Sequence, residues 1–553
     1  PPQPPQPLKP FEPSGAGSAG NGDGGDGGTS KDSRDPSTAA GRYLHLHHCK
    51  NQGSCVWNTH ALVGLAQRHY QLSFVAVELF FVDRSSVFVN LHTTAEAARL
   101  AVANNLNVKW IIDDNNVTIA GNPETYMKGY SVSKTLEGQG FQVITCDGEN
   151  FSELFDAISK SMQTKGPVAV ICKRKMGPGI PELEGECQLH DVIPLDVGIT
   201  YLENKGHDEA VKQLKETAEE YSSKANQTFK GSGEKGACRK QFGTSVVSML
   251  NEMSDSERKK VHAFDSDLEG SVGLTAVREN YPECFTRAGI HERGNYLAAA
   301  GFGSQEGHQG IFATFSAFME MVISEITMSR LNEANVLAHF SHAGVDNMSD
   351  NTCHFGLNNF FADNYVEEGS STGLYFPADV NQMDAIIKRI FNDHGLRFVF
   401  SNRSKTPLIL NSDGNSFYGE GYEFTPGADE IIRDGDAGWI VSYGDMLHRC
   451  LHVVEEYREN GINVGLINKP SLSSVDEDTM EKIGKSPFVL VVESLNSRTG
   501  LGVRFGTWLL ERGFAPNYDY MGTTRPGNCG QEEQILHQGL GIDGLKEKLS
   551  SFL

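Results

Sequence analysis

The sequence feature that most constrains the fold is an alternation of short apolar stretches with helical stretches. Between residues 94 and 173, stretches typical of strands (108–114, 142–145, 168–173) alternate with stretches typical of helices (94–105, 130–140, 151–164). Strands that alternate with helices predict a parallel sheet, whose ligands bind at the carboxyl ends of the strands. The pattern returns in 237–410 and 430–553, so we predict an α/β fold with three doubly wound, parallel-sheet domains.

The length of the chain supports the same organisation. A chain of 553 residues is too long for one hydrophobic core and suits three domains. Residues 1–41 are rich in Pro and then in Gly, Ser and Asp, so we predict a disordered tail. The predicted boundaries that follow are an incomplete N-terminal domain (42–199), a polar linker with a helix near 208–221 (200–235), a second domain (236–412) and a third domain (430–553).

Composition argues against several classes of partner. Lys and Arg number 48 and Asp and Glu number 71, and the net charge of −23 disfavours nucleic acid or an anionic membrane. The ten Cys are scattered without a C-x-x-C pair, which favours a reducing, intracellular environment over a disulfide framework. The longest apolar run, 74–82, contains Glu78 and is too short to span a bilayer. We expect a cytoplasmic protein, with a plastid as the alternative because the chain starts with Pro and a targeting segment could precede it.

The stretch GIHERGNYLAAAGFGSQEGHQGIFATFSAF, residues 289–318, carries the first candidate site. Glu292 opens a run of small helix-forming residues, where a buried carboxylate needs a hydrogen-bond donor. Phe315 and Phe318 are three residues apart and would share one helix face. Together these side chains could hold a flat heteroaromatic ring, by stacking on its face and bonding a nitrogen at its edge. The alternative is a core helix with two packed Phe side chains and a surface Glu in an ion pair.

This stretch resembles the pyrimidine-binding domain of transketolase, a thiamine-diphosphate enzyme. The family's GI-x-E signature stands here as Gly289–Glu292, and its T-F-x-x-F follow-up as Thr314–Phe318. The resemblance implies that Glu292 bonds the ring nitrogen of the cofactor's aminopyrimidine. It also implies that Phe318 stacks on that ring, with Phe315 beside it.

A second motif resembles the family's sugar-binding set. The pattern H-x7-D-x3-H is matched without a gap by His342, Asp350 and His354. In transketolase the Asp reads a substrate hydroxyl and the two His bind hydroxyl and phosphate oxygens. The resemblance implies these roles here and makes His342 a catalytic candidate as well.

The second domain contains further residues that match the family. The resemblance implies that Arg239 and Ser271 hold the sugar phosphate, and that Asp267, which follows a strand at 261–264, positions the cofactor. Arg403 lies one residue away from the family's S-R phosphate ligand. Without the resemblance, Arg239, Ser271 and Asp267 are as typical of a surface ion pair or a helix cap as of a binding site.

The N-terminal domain matches only part of the family's diphosphate-and-metal motif. The stretch VKWIIDDNNVTIAG, 108–121, resembles its second half, which implies that the Asn115 side chain and the Val117 carbonyl bind Mg²⁺, with Ca²⁺ as an alternative metal. His190 resembles a histidine that contacts both the diphosphate and the substrate, which makes it a catalytic candidate too. The first half differs, because the family's Gly-Asp-Gly stands here as Val82-Asp83-Arg84. Asp83 is a candidate third ligand, but the glycines that let a backbone approach phosphates are replaced.

The resemblance implies a complete activity and an assembly. In the family, a two-carbon ketol unit passes from a ketose phosphate to an aldose phosphate, a reaction of pentose phosphate metabolism. The thiamine diphosphate lies between the two subunits of a homodimer. The altered Gly-Asp-Gly region leaves an alternative open: a catalytically impaired protein or fragment, or a non-catalytic subunit that lends its pyrimidine-binding half. On that ground we expect this chain alone to bind the cofactor far more weakly than its relatives and to have little or no activity.

Overall fold

The computed structural model describes residues 92–187, 193–225, 228–346, 355–363, 372–527 and 533–553, together with the short strand Phe81–Val82. All of these residues belong to one compact unit of the chain. None of the described helices combines the length and the apolar character that crossing a bilayer requires.

The N-terminal part is a parallel sheet with helical connections. Its strands are β1 (Phe81–Val82), β2 (Lys109–Asp114), β3 (Gln142–Asp147) and β4 (Val168–Lys173), in the order β1-β2-β4-β3. Its helices are α1 (His92–Ala103), α2 (Pro123–Tyr126), α3 (Val132–Gly138) and α4 (Phe151–Gln163). The apolar strand β4 lies between β2 and β3 and is buried from its first residue to its fifth, as a central parallel strand should be.

Two helices connect this sheet to the second domain. They are α5 (Leu195–Asn204) and α6 (Asp208–Ala225), and α6 contains the helix predicted near 208–221. Strand β5 (Ser232–Gly236) follows and pairs in antiparallel fashion with β12 (Thr406–Ile409). This pairing joins the start of the second domain to its end.

The second domain is built on a six-stranded parallel sheet in the order β10-β11-β9-β8-β6-β7. Its strands are β6 (Val261–Asp265), β7 (Phe285–Arg287), β8 (Gln309–Phe315), β9 (Val336–Ser341), β10 (Thr372–Tyr375) and β11 (Leu396–Phe400). Its helices are α7 (Cys238–Asn251), α8 (Asp255–Arg258), α9 (Glu269–Val272), α10 (Thr275–Asn280), α11 (Glu292–Gly303), α12 (Ile323–Leu331) and α13 (Val380–Ile390).

Both faces of this sheet are covered, so its central strands are apolar at successive positions. In β8, Phe312 packs into one core cluster while Ile311 and Ala313 pack into the cluster on the opposite face. Helix α11 packs directly on β8 at Gly310, where there is no room for a side chain. A Cβ at this position would come within 2.0 Å of the Ala299 carbonyl oxygen. This close packing fixes the helix that begins with Glu292.

The third domain has a mostly parallel sheet in the order β13-β15-β14-β16-β17. Its strands are β13 (Glu430–Arg433), β14 (Gly438–Ser442), β15 (Val464–Asn468), β16 (Phe488–Asn496) and β17 (Asn517–Thr523), and only β13 is antiparallel to its neighbour. Its helices are α14 (Leu447–Glu459), α15 (Glu477–Gly484), α16 (Leu501–Glu511), α17 (Gln534–His537) and α18 (Ile542–Ser550). Three sheets with parallel strands confirm the predicted α/β fold.

The amino-terminal end of α16 is closed by a side chain of the same domain. The buried Glu493 carboxylate accepts hydrogen bonds from the backbone N–H groups of Leu501 and Gly502, each at 2.9 Å, and from the Tyr443 hydroxyl at 2.6 Å. A Cβ at Gly500 would lie 2.2 Å from this carboxylate. Gly500, in the turn before α16, therefore leaves the space that the Glu493 carboxylate occupies.

Candidate functional site

The candidate residues of the second domain lie at one edge of its sheet, where the parallel strands end. Residue Asp265 of β6 is paired with Ala313 of β8, and Phe315 of β8 with Ser341 of β9. The residues that follow these strands therefore lie at the same edge of the sheet. They are Asp267 after β6, Phe318 after β8, His342 after β9 and Arg403 after β11.

Glu292 is the first residue of α11 and is only 4% exposed. Among the described residues, the only hydrogen-bond donor to its carboxylate is its own backbone N–H. Burial, helped by the charge of Asp267, raises the pKa of Glu292 to about 7. Such a carboxylate carries a proton part of the time at neutral pH and can donate or accept one at a ligand atom.

Asn295 holds the first turn of α11 against the end of β6. Its side-chain amide donates to the Asp265 carbonyl oxygen, the Ser266 hydroxyl and the Gly289 carbonyl oxygen, each at 3.1 Å. Glu292 is therefore fixed next to the segment that leads to Asp267.

The two aromatic side chains are neighbours, although not for the predicted reason. Phe315 is the last residue of β8, and Phe318 lies in a 3-10 helix, Ser316–Val322, so the prediction of one shared α-helical face is wrong. Their rings nevertheless stack, with centroids 5.9 Å apart and planes at 24°. The turn between strand and helix brings the rings together, and they form an apolar wall at the edge of the sheet.

His342 extends this aromatic wall. Its ring centroid lies 3.9 Å from that of Phe315, and its Nδ1 is 2.9 Å from the Ser341 hydroxyl. The backbone of His342 has φ +60°, a conformation that costs energy in a residue with a Cβ. Such strain is typical of residues whose position is imposed by function.

Arg239 brings the proposed phosphate ligands together. Its Nε donates to the Arg403 carbonyl oxygen at 3.0 Å, and its Nη1 to the carbonyl oxygens of Gly270 and Ser271 at 3.3 and 3.1 Å. The structure thus places Arg239, Ser271 and Arg403 side by side. These bonds also give Arg239 a positioning role, which the sequence did not indicate.

In the N-terminal domain, Asn115 begins a tight loop after β2. Its side-chain Oδ1 accepts the Val117 N–H at 3.0 Å, and its Nδ2 donates to Asp113 at 3.3 Å. The loop has a left-handed residue, Asn116, at φ +55°. An amide oxygen has two lone pairs, so the Asn115 oxygen that accepts one N–H can also bind a cation.

This loop is bound to the second domain through Asp267. The Asp267 carboxylate accepts hydrogen bonds from the Thr118 hydroxyl (2.6 Å), the N–H groups of Ala120 (3.1 Å) and Ile119 (3.2 Å), and the Tyr126 hydroxyl (3.4 Å). Asp267 is 2% exposed and has φ +67°. Burial raises its pKa to about 6, although these hydrogen bonds act in the opposite direction. We call these five residues the interdomain clasp.

Comparisons with known proteins match two parts of the chain to domains of one family. The family described as "Transketolase, thiamine diphosphate binding domain" matches residues 86–253, and "Transketolase, C-terminal domain" matches residues 427–520. The chain belongs to the transketolase family. A third family, "PH domain associated with Beige/BEACH", matches residues 31–107, and the only elements described in that range, β1 and α1, are part of the transketolase-type sheet domain.

Individual transketolase relatives are distant. The chain is 23% identical to the 1-deoxy-D-xylulose-5-phosphate synthase of Clostridium acetobutylicum over 73% of this chain and 59% of that protein. It is 22% identical to the transketolase-like protein 2 of Mus musculus over 74% of this chain and 65% of that protein. The chain thus spans about three fifths of the length of these relatives. The solved transketolase of Campylobacter jejuni matches with a TM-score of 0.48 and 17% identity, over 83% of this chain and 75% of that one.

The described residues fit the pyrimidine part of the transketolase cofactor. A buried carboxylate without an outside donor needs a ligand that can hydrogen-bond it, and the adjacent aromatic pair offers a flat apolar surface. The Asn115 side chain and the Val117 backbone each carry an oxygen atom of the kind that Mg²⁺ prefers. In the described ranges, no three His, Cys, Asp or Glu side chains stand close enough to hold a metal ion on their own.

Four predicted site residues lie outside the described part of the chain: Asp83, His190, Asp350 and His354. Sequence reasoning missed Asn295, Thr118 and Tyr126, which position the transketolase-like site. Asn295 stands inside the small-residue run after Glu292, and a polar residue on an otherwise buried helix face was the signal that could have identified it.

Proposed function

We propose that this chain is a thiamine-diphosphate-dependent transferase of the transketolase type. It would transfer a two-carbon ketol unit from a ketose phosphate to an aldose phosphate. The observation that carries the proposal is the buried Glu292, whose carboxylate has a pKa of about 7 and, within the described ranges, only its own backbone N–H as a donor.

Glu292 would hold a proton at the ring nitrogen of the bound pyrimidine. A group whose pKa lies near the working pH is best suited to share a proton in this way. The stacked rings of Phe315 and Phe318 would support the pyrimidine face and exclude water from the Glu292 carboxylate. When bound, thiamine diphosphate supplies the nucleophilic carbon and the electron sink for breaking a carbon–carbon bond beside a carbonyl.

The substrate would bind along the same edge of the sheet. Arg239 aligns the segments that carry Ser271 and Arg403, and these cationic and hydroxyl groups suit the phosphate of a sugar. His342, fixed against Phe315, would contact the reacting end of the sugar. By resemblance, Asp350 and His354 complete this set as ligands of a hydroxyl and of the phosphate.

The diphosphate end would be held by the N-terminal domain. The Asn115 side chain, the Val117 carbonyl and Asp83 are the proposed ligands of Mg²⁺, for which Ca²⁺ could substitute. His190 would contact both the diphosphate and the substrate.

An exposed apolar surface on the second domain supports the proposal of a homodimer. Leu297 of α11 is 47% exposed, and Met328 and Leu331 of α12 are 52% and 73% exposed. Helices α11 and α12 contact each other, and large exposed apolar side chains on adjacent helices are typical of an interface between subunits.

Calorimetric titration with thiamine diphosphate and Mg²⁺, followed by an assay of ketol transfer between sugar phosphates, tests the proposal. We expect the altered Gly-Asp-Gly region to weaken binding, and any transfer to be abolished in Glu292→Gln and retained in Glu306→Gln, an exposed control in the turn after α11. Transfer at the normal rate in Glu292→Gln would refute the role of this carboxylate. Weak binding without transfer would favour the alternative, an impaired protein or a non-catalytic subunit.

A further inference from the structure

We propose that the third domain positions the substrate-phosphate site, acting through Asp346 on the loops that carry His342 and Arg403. The substrate class rests on the function proposed above, whereas the contacts between the domains do not. Asp346 lies in the loop that follows β9, shortly after His342, and it is only 3% exposed. It is a positioning residue, because it acts through its neighbours and not on the substrate.

Asp346 joins two loops at the edge of the sheet. Its carboxylate Oδ2 accepts the backbone N–H of Ser404, the residue after Arg403, at 2.8 Å. Closer to the strands, the N–H of Ala343 donates to the Ser401 carbonyl oxygen at 2.9 Å. The loop after β9 and the loop after β11 are therefore bound to each other by hydrogen bonds that flank the candidate ligands.

The third domain holds the loop after β9 through β16 and α17. The N–H of Val345 donates to the Ser494 carbonyl oxygen at 3.2 Å, and the N–H of Ile535 donates to the Asp346 carbonyl oxygen at 2.9 Å. Gly344, at φ +73°, packs on the Ser494 side chain, where a Cβ would lie 2.0 Å from the hydroxyl oxygen. Ser494 thus determines how closely the loop approaches the third domain.

A buried cluster of charges continues this contact inside the third domain. The Ser494 hydroxyl donates to the Asp445 carboxylate at 2.7 Å, and Asp445 is 3% exposed. Arg449 of α14 is 5% exposed, and the charges of Asp445 and Asp346 oppose the lowering of its pKa by burial. A buried carboxylate needs a cation or hydrogen-bond donors to offset the cost of burial. Arg449 therefore helps to keep the Asp346 carboxylate in place.

This arrangement makes the phosphate site depend on how the second and third domains dock. Arg239 binds the Arg403 carbonyl oxygen, and the next residue, Ser404, is bound by Asp346, whose loop packs on the third domain. The backbone that carries the Arg403 side chain is thus fixed before a ligand arrives. A binding group that is fixed in advance loses less conformational freedom when it binds, and its affinity is higher.

Calorimetric titration of the full chain with ribose 5-phosphate and with inorganic phosphate tests the role of Asp346. Asp346→Ala removes the acceptor of the Ser404 N–H, and we expect both ligands to bind about 10-fold more weakly, the scale of one hydrogen bond to a charged group. Asp346→Asn keeps an oxygen acceptor and should retain most of the affinity. A lower melting temperature with unchanged affinity in Asp346→Ala would show a merely structural residue and overturn the proposal.

Ser494→Ala tests whether the effect comes from the third domain. It removes the hydroxyl on which Gly344 packs, and we expect weaker binding of the same two ligands. Ser442→Ala is the matched control, because Ser442 is a buried serine of β14 whose hydroxyl bonds the Val492 carbonyl oxygen within the third domain. The control should lower the melting temperature and leave both affinities unchanged. Equal losses of affinity in the two variants, or none in Ser494→Ala, would overturn the role of the third domain.

Arg403→Ala separates this proposal from the proposed function. Weaker phosphate binding in Arg403→Ala with normal binding in Asp346→Ala would overturn the positioning role and leave the substrate site standing. No phosphate binding by the wild type, or no effect of Arg403→Ala, would refute the substrate-phosphate site and the positioning role with it. Phosphate binding that depends on Asp346, in a protein that does not bind thiamine diphosphate, would refute the proposed function and leave the positioning role standing.

Discussion

Replacing Glu292 by Gln should change how the stability of the protein depends on pH. The folded-state pKa of Glu292 is raised from 4.5 to about 7 by burial, and Gln has nearly the same shape but no proton to lose. Because the folded state holds this proton more tightly than the unfolded state, the unfolded chain is the first to ionise as the pH rises. The wild-type protein therefore loses stability between about pH 4.5 and pH 7, and the variant lacks this loss.

The size of the effect follows from these two pKa values. Between pH 5 and pH 8, the group contributes a fall of roughly 2–3 kcal/mol to the free energy of unfolding of the wild type. Urea unfolding at both pH values measures it, and the midpoint of the variant relative to wild type should rise from pH 5 to pH 8, by less than about 1 M because m grows with protein size. Other buried acids are present in both proteins and largely cancel in this difference.

Glu306→Gln is the matched control, since Glu306 lies in an exposed turn. Its midpoint relative to wild type should be the same at both pH values. If Glu292→Gln behaves like this control, the carboxylate does not have a raised pKa, and the argument for its role in proton sharing fails.

Three further predictions concern other parts of the structure. Thr118→Val should speed hydrogen exchange in the loop that carries Thr118 and destabilise the contact between the two domains by about 1–3 kcal/mol, because it removes the shortest hydrogen bond to the Asp267 carboxylate. Thr118→Ser keeps a hydroxyl donor and should change neither quantity. His342→Ala should raise the KM for sugar phosphates roughly 10- to 150-fold in transfer assays and leave thiamine diphosphate affinity, measured by calorimetry, unchanged; a loss of cofactor affinity instead would contradict the assignment. Gly500→Ala should lower the melting temperature by several degrees because its Cβ meets Glu493, while Gly301→Ala, at an open helical position, should leave it equal or higher.

Much of the fold could be predicted from local pattern. Two examples are β4, Val168–Lys173, and β2, Lys109–Asp114, which are short, mostly apolar and bounded by polar residues. Such runs are typical of buried parallel strands, so the local sequence was enough to predict them. The position of Glu292 at the start of a buried helix was also predictable, because its motif is continuous in the sequence.

Contacts between domains could not be predicted in this way. Thr118 and Asp267 are 149 residues apart, and their contact depends on how two folded domains dock. Phe315 and Phe318 show a second limit, because a spacing of three residues fits both a helix face and a strand that turns into a 3-10 helix. The left-handed backbone of His342 has no signal in the residue type itself.

The closed end of α16 has a consequence for the third domain. A helix amino terminus attracts phosphate and other anions, but here Glu493 is a tethered ligand whose local concentration never changes. Phosphate and sugar phosphates should therefore not stabilise the domain by binding at this helix end. Substituting Glu493 by a small neutral residue would leave the N–H groups of Leu501 and Gly502 without their acceptor. An anion such as phosphate could then bind there, and the stability of the domain would rise with the anion concentration.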